Sequence, residues 1–395
     1  MRHSLLPWAA ALFAAACAQE GGSHSGVTVR DSTGITILDN SAPALAAARA
    51  WRVDTIPILT IGGDTRESTH QLHRVRDAVR LVDGSIVLAD GGSSQLRVYG
   101  ANGDFLRAIG RPGRGPGEFS DLDAVWLLPP DSIAAHDREQ GRVLIFDASG
   151  EHARSVTLDP SLQRVRRAPG GDFVGFTWAP QESPRALGEV WWESFRYARY
   201  GADGSLTNEI AVLPGLEYSN TMWQDRPLHA SRSLGHAAVE AAGPDVLYYS
   251  DTRSYRILVH ELNGRLARII LRSGAVRAVT GDIRDRYIDE RLATRSDPAE
   301  RAAWARYFLT ISFPETLPVW GQLETDPEGN LWAAEFAAPS ARVIPWSVFS
   351  SAGHWLTDVI LPRATVFEVG TRHVLLLRRD ALDLERLEVL PIIKP

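Results

Sequence analysis

Three side chains precede similar apolar runs: Asp77 and Asp123 each stand before Ala-Val, and His236 stands before Ala-Ala-Val. Two carboxylates and an imidazole brought together would suit a divalent cation, calcium or zinc, which would polarise an ester carbonyl toward hydrolysis. If they stay apart, the same polar side chains satisfy backbone groups in turns. A second candidate is GRPGRGPGEF at 110–119. Gly110 and Gly115 supply the first half of a phosphate-binding loop, but Pro116-Gly117 stands where a lysine and a hydroxyl residue are required. The stretch therefore reads as a turn, with an anion on its backbone N–H groups as the lesser reading. A third candidate is aromatic. Trp178, Trp191, Trp192, Phe195 and Tyr197 would either form an exposed platform for a saccharide, peptide or protein, or pack a long hairpin against its neighbour. The sequence holds no G-x-S-x-G, no H-E-x-x-H and no EF-hand loop, and its one cysteine is Cys17. A binding module is the first reading, and a metal-dependent hydrolase or lactonase using Asp77, Asp123 and His236 is the rival.

The elements that must position these groups are repeated. IVLADGGSSQLRVYGANGDFLRAI (86–109) aligns without gaps on IAAHDREQGRVLIFDASGEHARSV (133–156) at an offset of 47. LYYSDTRSYRILVHELNGRLARII (247–270) keeps the same internal distances, with an aspartate thirteen residues before a glycine: Asp90/Gly103, Asp137/Gly150 and Asp251/Gly264. Such regularity assigns the three aspartates to scaffolding, accepting N–H bonds in the loop that follows each strand. Two hairpin turns per unit and short alternating runs give four strands per repeat. The fold predicted is all-β, a six-bladed β-propeller closed by N- and C-terminal strands and carrying a short helical insertion. The last unit lacks a strand, and Trp51–Val53 with Ile56–Ile61 is the natural supplier, which removes an open sheet edge. By the repeat, Asp77 and Asp123 occupy equivalent places at the start of innermost strands, and His236 lies near the corresponding place in blade four.

Two departures interrupt the repeat. Residues 176–197 extend a hairpin in blade three. Residues 281–309 read as two helices: Ile283, Tyr287, Ile288 and Leu292 share a face, and Asp297-Pro298-Ala299-Glu300 supplies a cap, a first-turn proline and a reciprocal glutamate. Trp304 is expected to anchor the second helix, and Trp126, Trp320 and Trp332 to lie in the core.

Residues 84–119 resemble a complete unit of the NHL repeat family, from the D-G turn through "VAD" and the turn glycine to a connector close to G-x-x-G-x-G-P-G-E-F. Blades two and four match the middle of that unit, and blades three, five and six match its turns. Through RDSTGITILDN (30–40) and PETLPVWGQLETDPEGNLW (314–332), the chain is also similar to bacterial extracytoplasmic six-bladed propellers with signal or lipoprotein leaders. The resemblance implies fold and location more than activity. A propeller lactonase of the gluconolactonase type would be the enzymatic counterpart.

Address and partners follow from the remaining sequence. Arg2 and His3 precede an apolar stretch, Leu5 to Ala16, which reads as a signal peptide over 1–16. Cys17 follows at the place of lipid attachment in a bacterial lipoprotein, although Ala14 stands where that pattern prefers leucine. Residues 17–49 read as a tether and small hairpin, and 50–395 as the propeller. A formal net charge of −6 without a basic stripe excludes nucleic acid. The expected partners are a protein, peptide or saccharide. Membrane contact would come only through the lipid anchor, and the location is extracytoplasmic, as an anchored lipoprotein or a secreted or periplasmic protein.

Overall fold

The computed structural model describes residues 26–63, 67–168, 170–180, 186–380 and 382–395. The leader and Cys17 lie outside the described residues.

Six sheets, each built on four antiparallel strands, form the six blades of a β-propeller. Their innermost strands are Val75–Arg80, Leu122–Leu128, Arg164–Arg167, Val239–Ala242, Trp320–Thr325 and Thr365–Val369. In each blade the second strand carries a nearly unbroken apolar run, because it is covered on both faces by neighbouring blades. Ile86–Asp90 is buried at every position, whereas the outer strand Phe105–Ile109 is mostly open to solvent. The core is accordingly divided into six clusters, one between each pair of adjacent blades. Trp320 and Trp332 are buried in two of them as expected, while Trp126 is half-buried beside Phe173.

The hairpin glycines fit the geometry expected of them. Gly204 adopts φ 85°, and a Cβ there would stand 2.0 Å from the Thr157 carbonyl oxygen of the preceding blade. Handedness and close approach both demand glycine at that turn.

Closure uses the N-terminal segment. Glu385–Ile393 of blade six pairs antiparallel with Leu59–Gly62 and, further along, with Arg52–Val53. Ile61 is fully buried there among Leu387, Val389, Ile86 and Leu88, so the closing strand belongs to the core between blades six and one.

The small N-terminal hairpin, Val27–Ser32 with Ile35–Asn40, is not left on a tether. Its second strand runs parallel to Leu266–Arg272 and widens blade four to six strands. Fully buried Asn40 fixes it there: its side-chain amide donates to the Leu271 and Gly353 carbonyls at 3.0 and 3.2 Å, and its oxygen accepts the Trp355 N–H at 2.8 Å.

The insertion contains two helices, α1 (Gly281–Ala293) and α2 (Pro298–Phe308). The Asp297 carboxylate caps α2 by accepting the Ala299 and Glu300 N–H groups. Glu300 itself faces Arg295 at 3.6 Å. Trp304 anchors α2 against Trp223, with ring centroids 4.7 Å apart, and Arg295 lies over its ring. Blade three is extended further than the sequence suggested. Its strands Val190–Tyr200 and Leu206–Trp223 run far beyond the regular blade, and a fifth strand, Arg226–Ser231, turns back along them.

Candidate functional site

The ring brings the first residues of all six innermost strands to one mouth of the central channel. They enclose a cavity of about 350 Å³, lined by Arg76, Asp77, Asp123, Arg164, Arg166, Glu240 and Glu324 among others. A smaller cavity of about 140 Å³ lies along the later residues of the same strands. Asp77, Arg166, Glu324 and Phe367 line both, so they form the constriction between the two.

Strand register corrects the equivalence expected of Asp77 and Asp123. Both innermost strands carry an irregularity near their start. Asp77 pairs opposite Ala89, whereas Ala124 pairs opposite His136, the residue equivalent to Ala89 in the repeat. Asp77 is therefore level with Ala124, and Asp123 is level with Arg76. The bulge re-aims side chains at the mouth, as such irregularities do, and both carboxylates still reach one cavity.

They have different duties there. Asp77 accepts the Ala78 N–H at 2.9 Å and, across the blade boundary, the Val125 N–H at 3.0 Å. Burial pushes its pKa up to about 7; the Val125 and Ala78 hydrogen bonds and the Arg166 charge oppose this without cancelling it, while Glu324 adds to it. Asp123 faces buried His136, whose Nδ1 stands at 3.6 Å. Burial works against the Asp123 charge, but His136, Arg138 and Arg76 outweigh it and hold the carboxyl below its ordinary value.

His236 lies outside the cavity lining. Its ring stacks on Trp192, its backbone N–H donates to Glu217 at 3.0 Å, and its Nε2 meets the Thr316 hydroxyl at 3.4 Å. The trio of Asp77, Asp123 and His236 does not assemble, because both oxygens of Asp77 are engaged by backbone and His236 belongs to the base of the long hairpin. Among the described residues, no group of three or more His, Cys, Asp or Glu is arranged to hold a metal ion.

The groups that the sequence reading missed come from blades three, four and five. Arg164 donates to Glu240 at 2.7 Å, and Arg166 stands 3.7 Å from Glu324. Burial works against the Arg166 charge, yet Glu324, Glu240, Asp77 and Asp123 around it outweigh that effect and raise its pKa. Glu324 is also raised, first by burial, although Arg166 and a 3.0 Å hydrogen bond from Gln322 oppose the shift. The second oxygen of Glu240 is buried without a hydrogen-bond partner. The buried Tyr197 hydroxyl has its pKa raised by burial first and then by Glu240, yet the pair does not meet the geometry of a hydrogen bond. A signal was available: RVRR, VEAA and GQLET place charges in short strands where an apolar alternation alone would serve.

The other two candidates resolve as structure. Glu118 folds back into the glycine-rich connector, accepting the Gly115 N–H at 2.8 Å and the Arg111 guanidinium at 2.9 Å. Those interactions, the Gly115 bond first, hold its pKa below the ordinary value. The cradle already contains a carboxylate. Of the aromatic set, Phe195 and Tyr197 are buried between blades three and four, which corrects the platform expectation for them. Phe195 stacks on Phe176 at 4.1 Å because its strand is the third of the blade and faces the neighbouring core. Trp191 is half-buried on Tyr218, Trp192 lies between His236 and Arg253, and Trp178 is the most exposed of the five. The repeated aspartates act as scaffold. Asp90 accepts the Gly92 and Ser93 N–H groups, and Asp137 those of Ser120 and Asp121.

Comparison with known proteins agrees with this architecture. The family model of a 6-bladed beta-propeller, DUF5128, matches residues 65–185, which span blades one and two and the start of blade three. A search of curated proteins finds no match. Among solved structures, a DUF4221 family member from Bacteroides vulgatus is 10% identical, with 88% of this chain and 99% of that one covered and a TM-score of 0.52. A Bacteroides fragilis protein described as exported is 11% identical over 91% of this chain and 99% of that one, with a TM-score of 0.48. The calcium-binding protein regucalcin from Agrobacterium tumefaciens is 11% identical over 82% and 92%, with a TM-score of 0.41. At 10% identity the likeness to the DUF4221 family member is one of fold.

Proposed function

We propose that this six-bladed β-propeller is an exported, lipid-anchored binding module of the cell envelope, and that its ligand enters the channel mouth above Asp77, Arg166 and Glu324. One observation carries the reading: all six blades contribute to a polar cavity with seven charged side chains in its lining, Arg76, Asp77, Asp123, Arg164, Arg166, Glu240 and Glu324. Asp77 ties blade one to blade two through the Val125 N–H. Glu385 and Glu368 tie blade six to blade one by accepting the Val75 and Arg80 N–H groups at 2.9 and 2.8 Å. Arg164 with Glu240 and Arg166 with Glu324 join blades through side chains alone, and all four line the cavity. A concave site with a few convergent polar groups is the usual form of a small-ligand site.

The apolar leader and Cys17 support the address, and no helix among the described residues is long and apolar enough to cross a membrane. Two measurements test the reading. Thr365, exposed at the start of the sixth innermost strand, lines the mouth, so Thr365→Trp obstructs it. A solute that accompanies the purified protein in native mass spectrometry should be lost from this variant, and its retention would remove the mouth as the site. Cys17→Ala should move the protein from the membrane fraction to the soluble envelope fraction; an unchanged distribution would refute lipid anchoring.

A further inference from the structure

The charges at the mouth are arranged in depth. The arginine side chains retain access to solvent, at 34% for Arg76, 52% for Arg164 and 35% for Arg166, whereas Glu240 and Glu324 retain 3% and 14%. Arg76 and Arg164, with Asp123 at 24% between the two signs, therefore make the outer mouth mainly cationic, over Arg166 at the constriction and the more deeply buried Glu240 and Glu324. At that depth, Arg164 engages one oxygen of Glu240 and leaves the other buried and without a partner. Arg164 meets the charge of Glu240, but a buried carboxylate oxygen without a donor is costly, and a ligand ammonium would supply that donor. The cavity, at about 350 Å³, lies near the lower end of the range of about 300–1,000 Å³ for small-molecule sites. That favours a compact ligand over a polymer.

We infer that the channel mouth binds a small zwitterionic amine of amino-acid or dipeptide size, its ammonium at Glu240 and Glu324 and its carboxylate at Arg164 and Arg76. This rests on the reading of the mouth as the ligand site and adds the ligand's chemistry. A charge-assisted hydrogen bond at each end fixes the orientation, with the amine inward.

The probe is dialanine, compared with N-acetyl-dialanine and dialanine amide, by titration calorimetry on the purified protein. Dialanine should bind saturably, and blocking either end should weaken it about tenfold or more, the loss of one hydrogen-bonded charge. Glu240→Gln, nearly isosteric, should cause a similar loss for dialanine and change little for the N-acetyl form. Glu324→Gln serves as the second variant, and a native thermal melt is required of each. N-acetyl-dialanine binding as tightly as dialanine would overturn the inference, as would no dialanine binding at millimolar concentration. Should succinate or maltose bind instead, with sensitivity to Arg164→Gln, the site would stand and the zwitterion class would fall. Dialanine binding unaffected by Glu240→Gln, Glu324→Gln and Arg164→Gln would put the ligand elsewhere, overturning both the inference and the mouth as its site.

Discussion

Replacing Asp77 by asparagine removes a carboxyl whose protonation should make the propeller more stable in mild acid than at neutral pH. In the folded chain burial pushes this group up to about 7, against about 3.9 in an unfolded one. The folded state therefore binds the proton more tightly. Stability from this group is fully present below the unfolded value and is lost as pH rises through the folded one. A tenfold difference in proton affinity between the two states corresponds to about 1.4 kcal/mol, so from pH 5 to pH 8 the wild type should lose up to about 2.5 kcal/mol through Asp77. With an unfolding entropy of about 2 cal/mol/K per residue, a chain of this length should lose about 3 °C in Tm. An asparagine cannot ionise, so the Asp77→Asn profile should be flatter by that amount, even though one of the two N–H bonds to the side chain is lost at every pH. Carboxylates with depressed pKa values, such as Asp147 and Asp380, act below about pH 4, outside this window. Glu324, also raised, remains in both proteins, so its contribution is common to the two profiles apart from its coupling to Asp77. The assay is a thermal melt of both proteins at half-unit steps of pH. Profiles that stay parallel to within about 1 °C from pH 5 to pH 8 would refute a carboxyl titrating near neutrality at the constriction.

Ring closure and hairpin docking make separate predictions. Ile61→Ala, at a fully buried position of the closing strand, should destabilise the whole ring by about 2–5 kcal/mol in a denaturant titration. A cost below about 1 kcal/mol would mean that the N-terminal strand does not complete blade six. Asn40→Ala strips three hydrogen bonds from a buried joint between blades four and five, and should cost about 2–4 kcal/mol. Hydrogen exchange should then rise first in Val27–Asn40, and unchanged protection there would show that Asn40 does not hold the hairpin.

What was legible in the sequence was whatever repeats. The aspartate-to-glycine spacing, the turn glycines and the connector at 110–119 are set within one blade, and each blade solves the same local problem. The closing strand was legible for a related reason: the last repeat lacked a member and a short apolar run near the start had none to pair with. The capped helices, too, are local. What was not legible depends on contacts between blades. Asn40 meets its partners more than two hundred residues away, and nothing in ILDN marks it as a joint. The mouth is harder still, because an offset of one residue changes which side chain faces the axis. Aligning Asp77 with Asp123 by their shared Ala-Val used an offset of 46 where the repeat keeps 47, and so set Asp77 against the wrong residue of blade two. It also drew attention to the repeated aspartate motif when the informative residues were the unrepeated ones. Arg164, Arg166, Glu240 and Glu324 sit on short innermost strands that match the family unit only weakly. Burying charge at those positions is unfavourable unless something compensates it, and the Arg164–Glu240 and Arg166–Glu324 pairs do so in part. Where a repeat architecture breaks its own pattern with buried charge at the one place where all units meet, the departure is what marks the mouth as the candidate site proposed above.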